Sequence, residues 1–491
     1  MRLLDSFLKR VQPSRWTTIS AGDEMSYSDQ CAWYEKLRAY YLANNLYDTQ
    51  TSADFYLGEW DEAMKPLRCV AHRTVEFYVA KLCPGNLPDA LPILTENDAI
   101  IDPIQLVWKW SNWNANKQVA VRKLALYGDL FIKVANNVDR THVYMQVLEP
   151  QYVSAFTVDE RGFIQSIRID IPVRDDNMLK TSTEIWDAAG YRLYIHVYGA
   201  TADEKLMGTP RAAYSLAQAG VTFIPFVHAK FQDIGEKRGA CSFMHALSKI
   251  DEANRLATRL HQMLFRWNKP LFVASNPGVD DLGRPLPAPR VAGVDTDGAL
   301  SLSDNEIIAL PGIAKLESLV PPLQYGAALD ILNAHMTELE RDLPELAYAG
   351  LREKHSDLSG RAIRLMMGDA IDRVKEARGN FEAALSRAHA MALSLGAALG
   401  IFTGIGTYDA GNFEHSFRER EIIPTGDDER AALLTALTGA GLPLPLAMKL
   451  AGYSEPDIQE AAAAEQRKQA RADEIAARMQ APPPAQAPPE E

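Results

Sequence analysis

The sequence is poor in the residues that most metalloproteins and disulfide scaffolds depend on. Only four cysteines occur in 491 residues, Cys31, Cys69, Cys83 and Cys241. They lie far apart, with no Cys-x-x-Cys pair and no Cys/His cluster, so neither a zinc site nor a disulfide framework is signalled. Scattered thiols of this kind fit a reducing compartment, where they pack as small apolar side chains. Long hydrophobic runs are missing too. The most apolar stretch, Met391 to Gly406, is shorter than the roughly twenty residues a bilayer requires. It continues an amphipathic helical pattern and reads as a buried helix end. At the N-terminus the apolar run is broken by Asp5 and Ser6, which argues against a secretory signal. Positive charge is also scarce: the formal net charge is -13. A tight, sequence-blind nucleic-acid binder concentrates Lys and Arg to displace counterions, and an acidic chain does not; transient contact with DNA remains compatible with it.

Catalytic signatures are absent as well. There is no GxxxxGK[ST], HExxH, GxSxG or GxGxxG. Adjacent Asp280 and Asp281 in "GVDDLGRP" suggest either a metal site or a turn with solvated acids, and the turn is the better reading of that Gly/Pro-rich context. His228 and His245 have no partners at ligand spacing. His245 reads as a packing residue.

The patterns that are present describe an α+β chain whose length suggests about three domains or sub-domains. Helical periods come first, from Ser28, from Met64 and from Asp102. The third is expected as one helix with Asp102 as N-cap and Pro103 at the first position, ending at Gly128. Short β-branched or aromatic strands follow from Asp129, His142, Tyr152, Ile167 and Tyr191, with "DERG" from Asp159 as a turn. They are expected to form an antiparallel sheet laid against helices.

Near residue 240 the character changes. From Cys241 one helical pattern runs to Pro270, with Phe243, Leu247, Ile250, Asn254, Ala257, Leu260 and Leu264 at three- and four-residue steps. Residues 271 to 320 break into strands and tight Pro/Gly turns, a small β module. A second helix follows from Val320. A charged loop then leads to "SDLSG", where Ser356 or Asp357 can cap a helix of about forty residues and roughly 60 Å. Its apolar face runs Leu358, Ala362, Met366, Ala370, Val374, Ala377, Phe381, Leu385, Ala388, Ala392, Leu395 and Leu399. Gly368, Gly379 and Gly396 within it suggest bends or close helix approach. A strand-like "HSFRERE" precedes a separate helical module and a low-complexity Pro-rich tail.

This order resembles the portal proteins of tailed bacteriophages, the head-to-tail connectors. Local motifs carry the resemblance. Val227-His228 matches a strand end, Gly239-Ala240-Cys241-Ser242 matches a Gly-x-Ser element with one extra residue, and Asp251 to Asn254 matches an Asp-x-x-Asn helix. Ser359, Gly360, Ala362 and Ile363 match the start of the family's long helix, where Gly360 would allow close packing, and "GYSEPDIQE" resembles the crown ending. The resemblance covers roughly residues 30 to 475. It implies a wing (1–240), a first stem helix (241–270), a clip (271–320), a second stem helix (321–345), a tunnel loop (346–357), a long helix returning to the wing (358–425), a crown (426–478) and a disordered tail (479–491).

The function so implied is a ring of about twelve copies, set at one capsid vertex of the virion after assembly in the host cytoplasm. The genome would pass through it during packaging and ejection. The implied partners are further copies of the chain, double-stranded DNA in transit, the terminase large subunit, a head-completion or tail adaptor, and the major capsid and scaffolding proteins, with no membrane and no cofactor. The missing P-loop leaves the packaging ATPase to another chain. Arg352, Lys354 and His355 would lie nearest DNA in the tunnel loop. Pro277, Asp280, Asp281, Arg284 and Arg290 would belong to the clip docking face. Lys249, Arg255, Arg259, Arg266 and Lys269 on the first stem helix could touch DNA phosphates or a neighbouring subunit, or form a solvated face. Two alternatives stand beside this reading: a metal-dependent nuclease of phage DNA metabolism, for which no convergent acid or histidine set is found, and a monomeric interaction scaffold.

Overall fold

The computed structural model describes residues 26–43, 68–83, 92–175, 178–199, 206, 208–218, 221–267, 272–275, 282–284, 315–318, 325–347, 360–406, 413–418, 420–423, 426–453 and 455–480. The chain divides into two compact units, Met1–Ala347 with Glu376–Ser416, and Tyr348–Lys375 with Phe417–Glu491.

In the first unit, α1 (Tyr27–Leu42) starts at Ser26, whose side chain accepts from the Asp29 N–H. Tyr34, Leu37 and Tyr40 form its buried face, one turn apart as an amphipathic helix requires. Helix α2 (Val70–Leu82) follows, then the short strand β1 (Ile93–Leu94). The helix expected from Asp102 to Tyr127 is two: α3 (Ile101–Trp110) and α4 (Trp113–Tyr127). The break has a local cause. Ser111 Oγ donates to Val107 O and accepts the Met145 N–H at 2.8 Å, so this serine serves a neighbouring strand as well as its own helix. Asn112 then takes the left-handed conformation at φ +49°, which asparagine tolerates better than most residues. Nor is Asp102 the N-cap. A 3-10 turn over Asp98–Ile100 starts the helix earlier, leaving Asp102 inside the first turn, where a carboxylate still complements the positive helix end. Gly128 closes α4 at φ +82°, as expected.

The strands form two principal sheets where one was expected. One has the order β3–β2–β9 and the other β4–β5–β6–β7–β8. Their spans are β2 Asp129–Asn136, β3 Val143–Leu148, β4 Val153–Val158, β5 Ile164–Asp175, β6 Met178–Asp187, β7 Gly190–Val197, β8 Ala212–Tyr214 and β9 Phe226–Lys230. All pairings are antiparallel. Sequence reading passed over β6 because two of its buried positions are Thr181 and Thr183, which hide the apolar alternation. Phe131, Phe156, Ile167, Trp186 and Phe226 belong to one core cluster drawing on both sheets.

The helix expected from Cys241 also starts later than its pattern suggests. Ser242 N–H donates to Ala125 O at 2.9 Å, so 241–243 is tied to the end of α4. A 3-10 turn at Met244–Ala246 then leads into α5 (Leu247–Trp267). Strand β10 (Phe272–Ser275) pairs antiparallel with β11 (Lys315–Ser318). Helix α6 (Tyr325–Asp342) returns. Lys249, near the start of α5, pairs with Asp342 at the end of α6 at 2.7 Å. Farther along α5, Ala257 and Leu260 pack with Leu332. The two helices are therefore antiparallel.

The long helix is interrupted near its start, as α7 (Gly360–Met366) and α8 (Gly368–Ala398). Backbone bonds from Met367 N to Ile363 O and from Ile371 N to Met367 O keep the helical spacing across the join. The expected apolar face holds from Ala370 to Leu395, but at its start Met366 is 56% exposed and Met367 is the buried residue. The glycines divide as anticipated only in part. Gly368 marks the interruption, and a Cβ at Gly396 would lie 2.2 Å from the Phe402 ring, whereas Gly379 faces open space.

In the second unit, Arg364 of α7 pairs with Glu429 of α9 (Asp427–Gly439) at 2.6 Å. Helices α10 (Leu444–Leu450) and α11 (Glu455–Gln480) follow. Strand β12 is only Ser416–Phe417. Among the described residues no helix is long and apolar enough to cross a membrane; Met391 to Leu395 is buried.

Candidate functional site

Two of the motifs singled out in the sequence, Val227-His228 and Gly239 to Ser242, meet at one place on the segment leading into α5, while the third, Asp251 to Asn254, lies on α5 itself. The centre of the meeting place is Asp129, at the first position of β2 and 1% exposed. Asp129 Oδ1 accepts His228 Nε2–H at 2.7 Å and the Gly239 N–H at 3.0 Å. Oδ2 accepts the Tyr34 hydroxyl at 2.6 Å. The Tyr34 oxygen in turn accepts from Arg238 Nη1 at 2.8 Å, and Arg238 Nη2 donates to Val153 O. Arg238 Nη1 also lies 3.9 Å from Asp129 Oδ2.

Aromatic rings wall the cluster. Phe131 stacks on the His228 imidazole at 4.5 Å, Phe156 meets it edge-on at 5.0 Å, and the Arg238 guanidinium sits over Phe156 at 5.2 Å. Burial alone would raise the Asp129 carboxyl. The His228 hydrogen bond, the His228 and Arg238 charges and the Gly239 N–H outweigh it and hold the group below the usual carboxylate range. Burial, reinforced by the Asp129 charge, pushes Tyr34 well above an ordinary phenol.

Glycines let the approach segment close on this cluster. Phe231 N–H donates to Gly128 O, and a Cβ on Gly239 would fall 2.2 Å from that same oxygen. Burial pushes the Cys241 thiol here up to about 12, so it packs as a neutral side chain. On α5 itself, Asp251 Oδ1 accepts the Tyr40 hydroxyl at 2.6 Å, and the fully buried Asn254 Oδ1 accepts the Arg68 N–H at 2.7 Å. His245 Nε2 faces Asp342 O at 3.1 Å. Strand end, glycine turn and helix motif thus fasten the helical pair to the α+β body at many points.

The expected site residues fall out unevenly. Lys249 pairs with Asp342, and Arg255 pairs with Glu252 one turn away. Arg259 is exposed. Ala362 is half-buried and Arg284 exposed, and Gly360 opens α7. Arg352, Lys354, His355, Ser359, Pro277, Asp280, Asp281, Arg290 and Lys269, and the Arg266 side chain, lie outside the described residues. Among the described residues no group of three or more His, Cys, Asp or Glu is placed to hold a metal ion. The sequence reading missed Tyr34, Tyr40, Asp129 and Arg238. The one available signal was Asp129 itself, a charge opening a strand that continues with the apolar run Leu130-Phe131-Ile132, directly after a helix-ending glycine.

No protein-family model matches the chain, and no curated protein does. Solved structures similar to it include the neck of a native GTA particle computed with C12 symmetry, at 13% identity over 78% of this chain and 89% of that chain, with a TM-score of 0.42. The neck of an empty GTA particle computed with C6 symmetry is similar at 13% identity over 80% and 91%, with a TM-score of 0.44. The virion of a native gene transfer agent particle is similar at 12% identity over 80% and 91%, with a TM-score of 0.40.

Proposed function

We propose that the chain is a portal protein, a structural ring subunit through which double-stranded DNA enters and leaves a viral capsid. The observation that carries this reading is the antiparallel α5/α6 pair. It is rooted at one end in an α+β unit by the Asp129 cluster and is joined at the other through the β10–β11 ribbon. It is followed by a long helix and a helical C-terminal module. A stem needs two helices that leave a body at a fixed angle and a small β module between them. The buried, fully bonded root supplies the fixed angle.

On this reading residues 241–270 and 321–345 are the stem, 271–320 the clip that docks the terminase and later the tail adaptor, and 426–478 the crown. The resemblance implies that 346–357 is the tunnel loop of the channel. Its charges are mixed, since Arg352 and Lys354 flank Glu353. Contact with phosphate is then weak and reversible, and salt screens it further. A conduit gains from this, because strong contacts repeated around a ring would hold the moving strand.

The test is the double change Arg352→Ala and Lys354→Ala. The ring is expected to form as before, while packaged DNA length or retention in assembled proheads changes. Normal packaging and retention would show that these side chains do not act on DNA.

A further inference from the structure

Three side chains far apart in sequence form a one-way hydrogen-bond chain in the first unit. Trp108 on α3 faces His389 Nε2 on α8 through its indole Nε1 at 2.8 Å. An indole N–H only donates, so His389 Nε2 is the acceptor and the proton of that ring sits on Nδ1. His389 Nδ1 faces His415 Nε2 at 3.0 Å, which makes His415 Nε2 an acceptor in turn. His415 Nδ1 lies 2.8 Å from the Phe413 carbonyl oxygen, which only accepts, so the second ring also carries its proton on Nδ1. Donors and acceptors alternate from the indole to the carbonyl when both imidazoles are neutral, and this order assigns both tautomers.

We propose that this chain is a proton-operated clasp, which fastens residues 413–416 to the long helix at neutral pH and releases them on acidification. A proton added at His415 Nε2 points an N–H at the N–H of His389. A proton added at His389 Nε2 points one at the indole N–H. Either addition replaces a hydrogen bond with two opposed donors and places a positive charge in the interior, where an unpaired charge is costly. The segment has other fastenings as well. Ser416 opens β12, which joins β1 in a two-stranded sheet. Glu414 O accepts the Thr95 hydroxyl at 2.9 Å, His415 O accepts the Ser386 hydroxyl at 3.5 Å, and the Phe413 side chain is buried. Among these bonds only the histidine links titrate near neutral pH.

The charged groups on the surrounding elements are Asp102 and Lys109 on α3, Glu382 two turns back on α8, Glu96 and Asp98 near β1, and Glu414 beside His415. Arg387, two residues before His389, donates to Gly162 O; it and Glu382 are half-buried, and the others are exposed. The pair takes its properties from elsewhere. Burial pushes the His389 imidazole well below its usual range, with the neighbouring His415 adding to the effect. Burial also lowers His415, against the Phe413 carbonyl, which acts the other way. With the folded-state values depressed, the neutral clasp contributes its full stability above the ordinary histidine value of about 6.5. That contribution is lost as pH falls through the lowered values. Release is therefore an acid event, and it holds whether or not the portal reading does.

The experiment is hydrogen exchange of the full-length protein at pH 7.5 and pH 5, corrected for the intrinsic pH dependence and referenced to α4. Amides of 413–416 are expected to lose protection about tenfold or more, the change that one pKa unit of linkage produces. His415→Gln keeps an acceptor for the His389 N–H and leaves only the deeply depressed His389 to titrate, so the segment should stay protected at both values. Trp108→Phe removes the donor that occupies His389 Nε2, so release should move to higher pH. Unchanged corrected protection in the wild type, or the same loss in His415→Gln, overturns the clasp. Should that variant fail to fold, an unmoved midpoint in Trp108→Phe overturns it equally.

Discussion

Asp129→Ala is expected to destabilise the first unit by about 3 to 5 kcal/mol, the usual cost of removing one partner from a buried, paired charge. The loss is large because three donors depend on this one carboxylate: the Tyr34 hydroxyl, the His228 ring and the Gly239 N–H. Each would be left facing an apolar methyl with no water to replace the bond. Asp129→Asn should cost less. Its amide oxygen still accepts, but its NH2 points one donor back into the cluster. The order wild type, Asn, Ala in the denaturant midpoint is the expected result. Equal midpoints for wild type and Ala would show that the cluster does not anchor the helical pair. Because the folded carboxyl is depressed, this contribution is complete above the unfolded value of about 3.9 and is lost only as pH falls through the lower, folded one. Acidification to pH 5 should therefore leave it intact, which separates its behaviour from that of the histidine pair.

Gly128→Ala has the second large effect. The residue sits at φ +82°, and an added Cβ would lie 2.4 Å from Gly239 O and 2.7 Å from the Ala240 carbonyl carbon. Both obstructions are backbone, so no rotamer relieves them. The left-handed conformation alone costs about 1 to 2 kcal/mol for a residue with a side chain, and overpacking adds about 1 to 3 kcal/mol. Gly162→Ala serves as the control, since Gly162 has a similar φ of +79° and nothing within 4 Å of the new atom. Its cost should be the conformational part only. If thermal unfolding gave the two variants equal losses, the close approach at Gly128 would contribute nothing to stability.

Much of this fold was legible because it is written locally. Gly128 ends a helix, the strands from Asp129, His142 and Tyr152 follow, and the long helix keeps its three- and four-residue steps from Ala370 to Leu395. What escaped is long-range or locally disguised. Tyr34 reaches Asp129 across 95 residues and Trp108 reaches His389 across 281, distances at which no periodicity carries information. Strand β6 was hidden by buried threonines that bond inward, as Thr183 does to Asp170 at 2.6 Å. The break at Ser111 depends on a strand that arrives later in the chain. At the head of the long helix the register slipped by one methionine, since Met366 and Met367 are equally apolar and only the interruption before Gly368 chooses between them.

The motif residues show the same division. Val227-His228, Gly239 and Asp251 to Asn254 could each be singled out, yet nothing in them indicated that His228 and Gly239 meet around one carboxylate, or that Asp251 and Asn254 bond Tyr40 and Arg68. That requires the fold.

The central claim is that the chain builds a closed channel. It is tested most directly by the native mass of the purified full-length protein, with electron micrographs of the same sample. The expected result is a ring with a central opening, of a mass about twelve times the 54.4 kDa of one chain. A species that remains a monomer at micromolar concentration in several salts would contradict it.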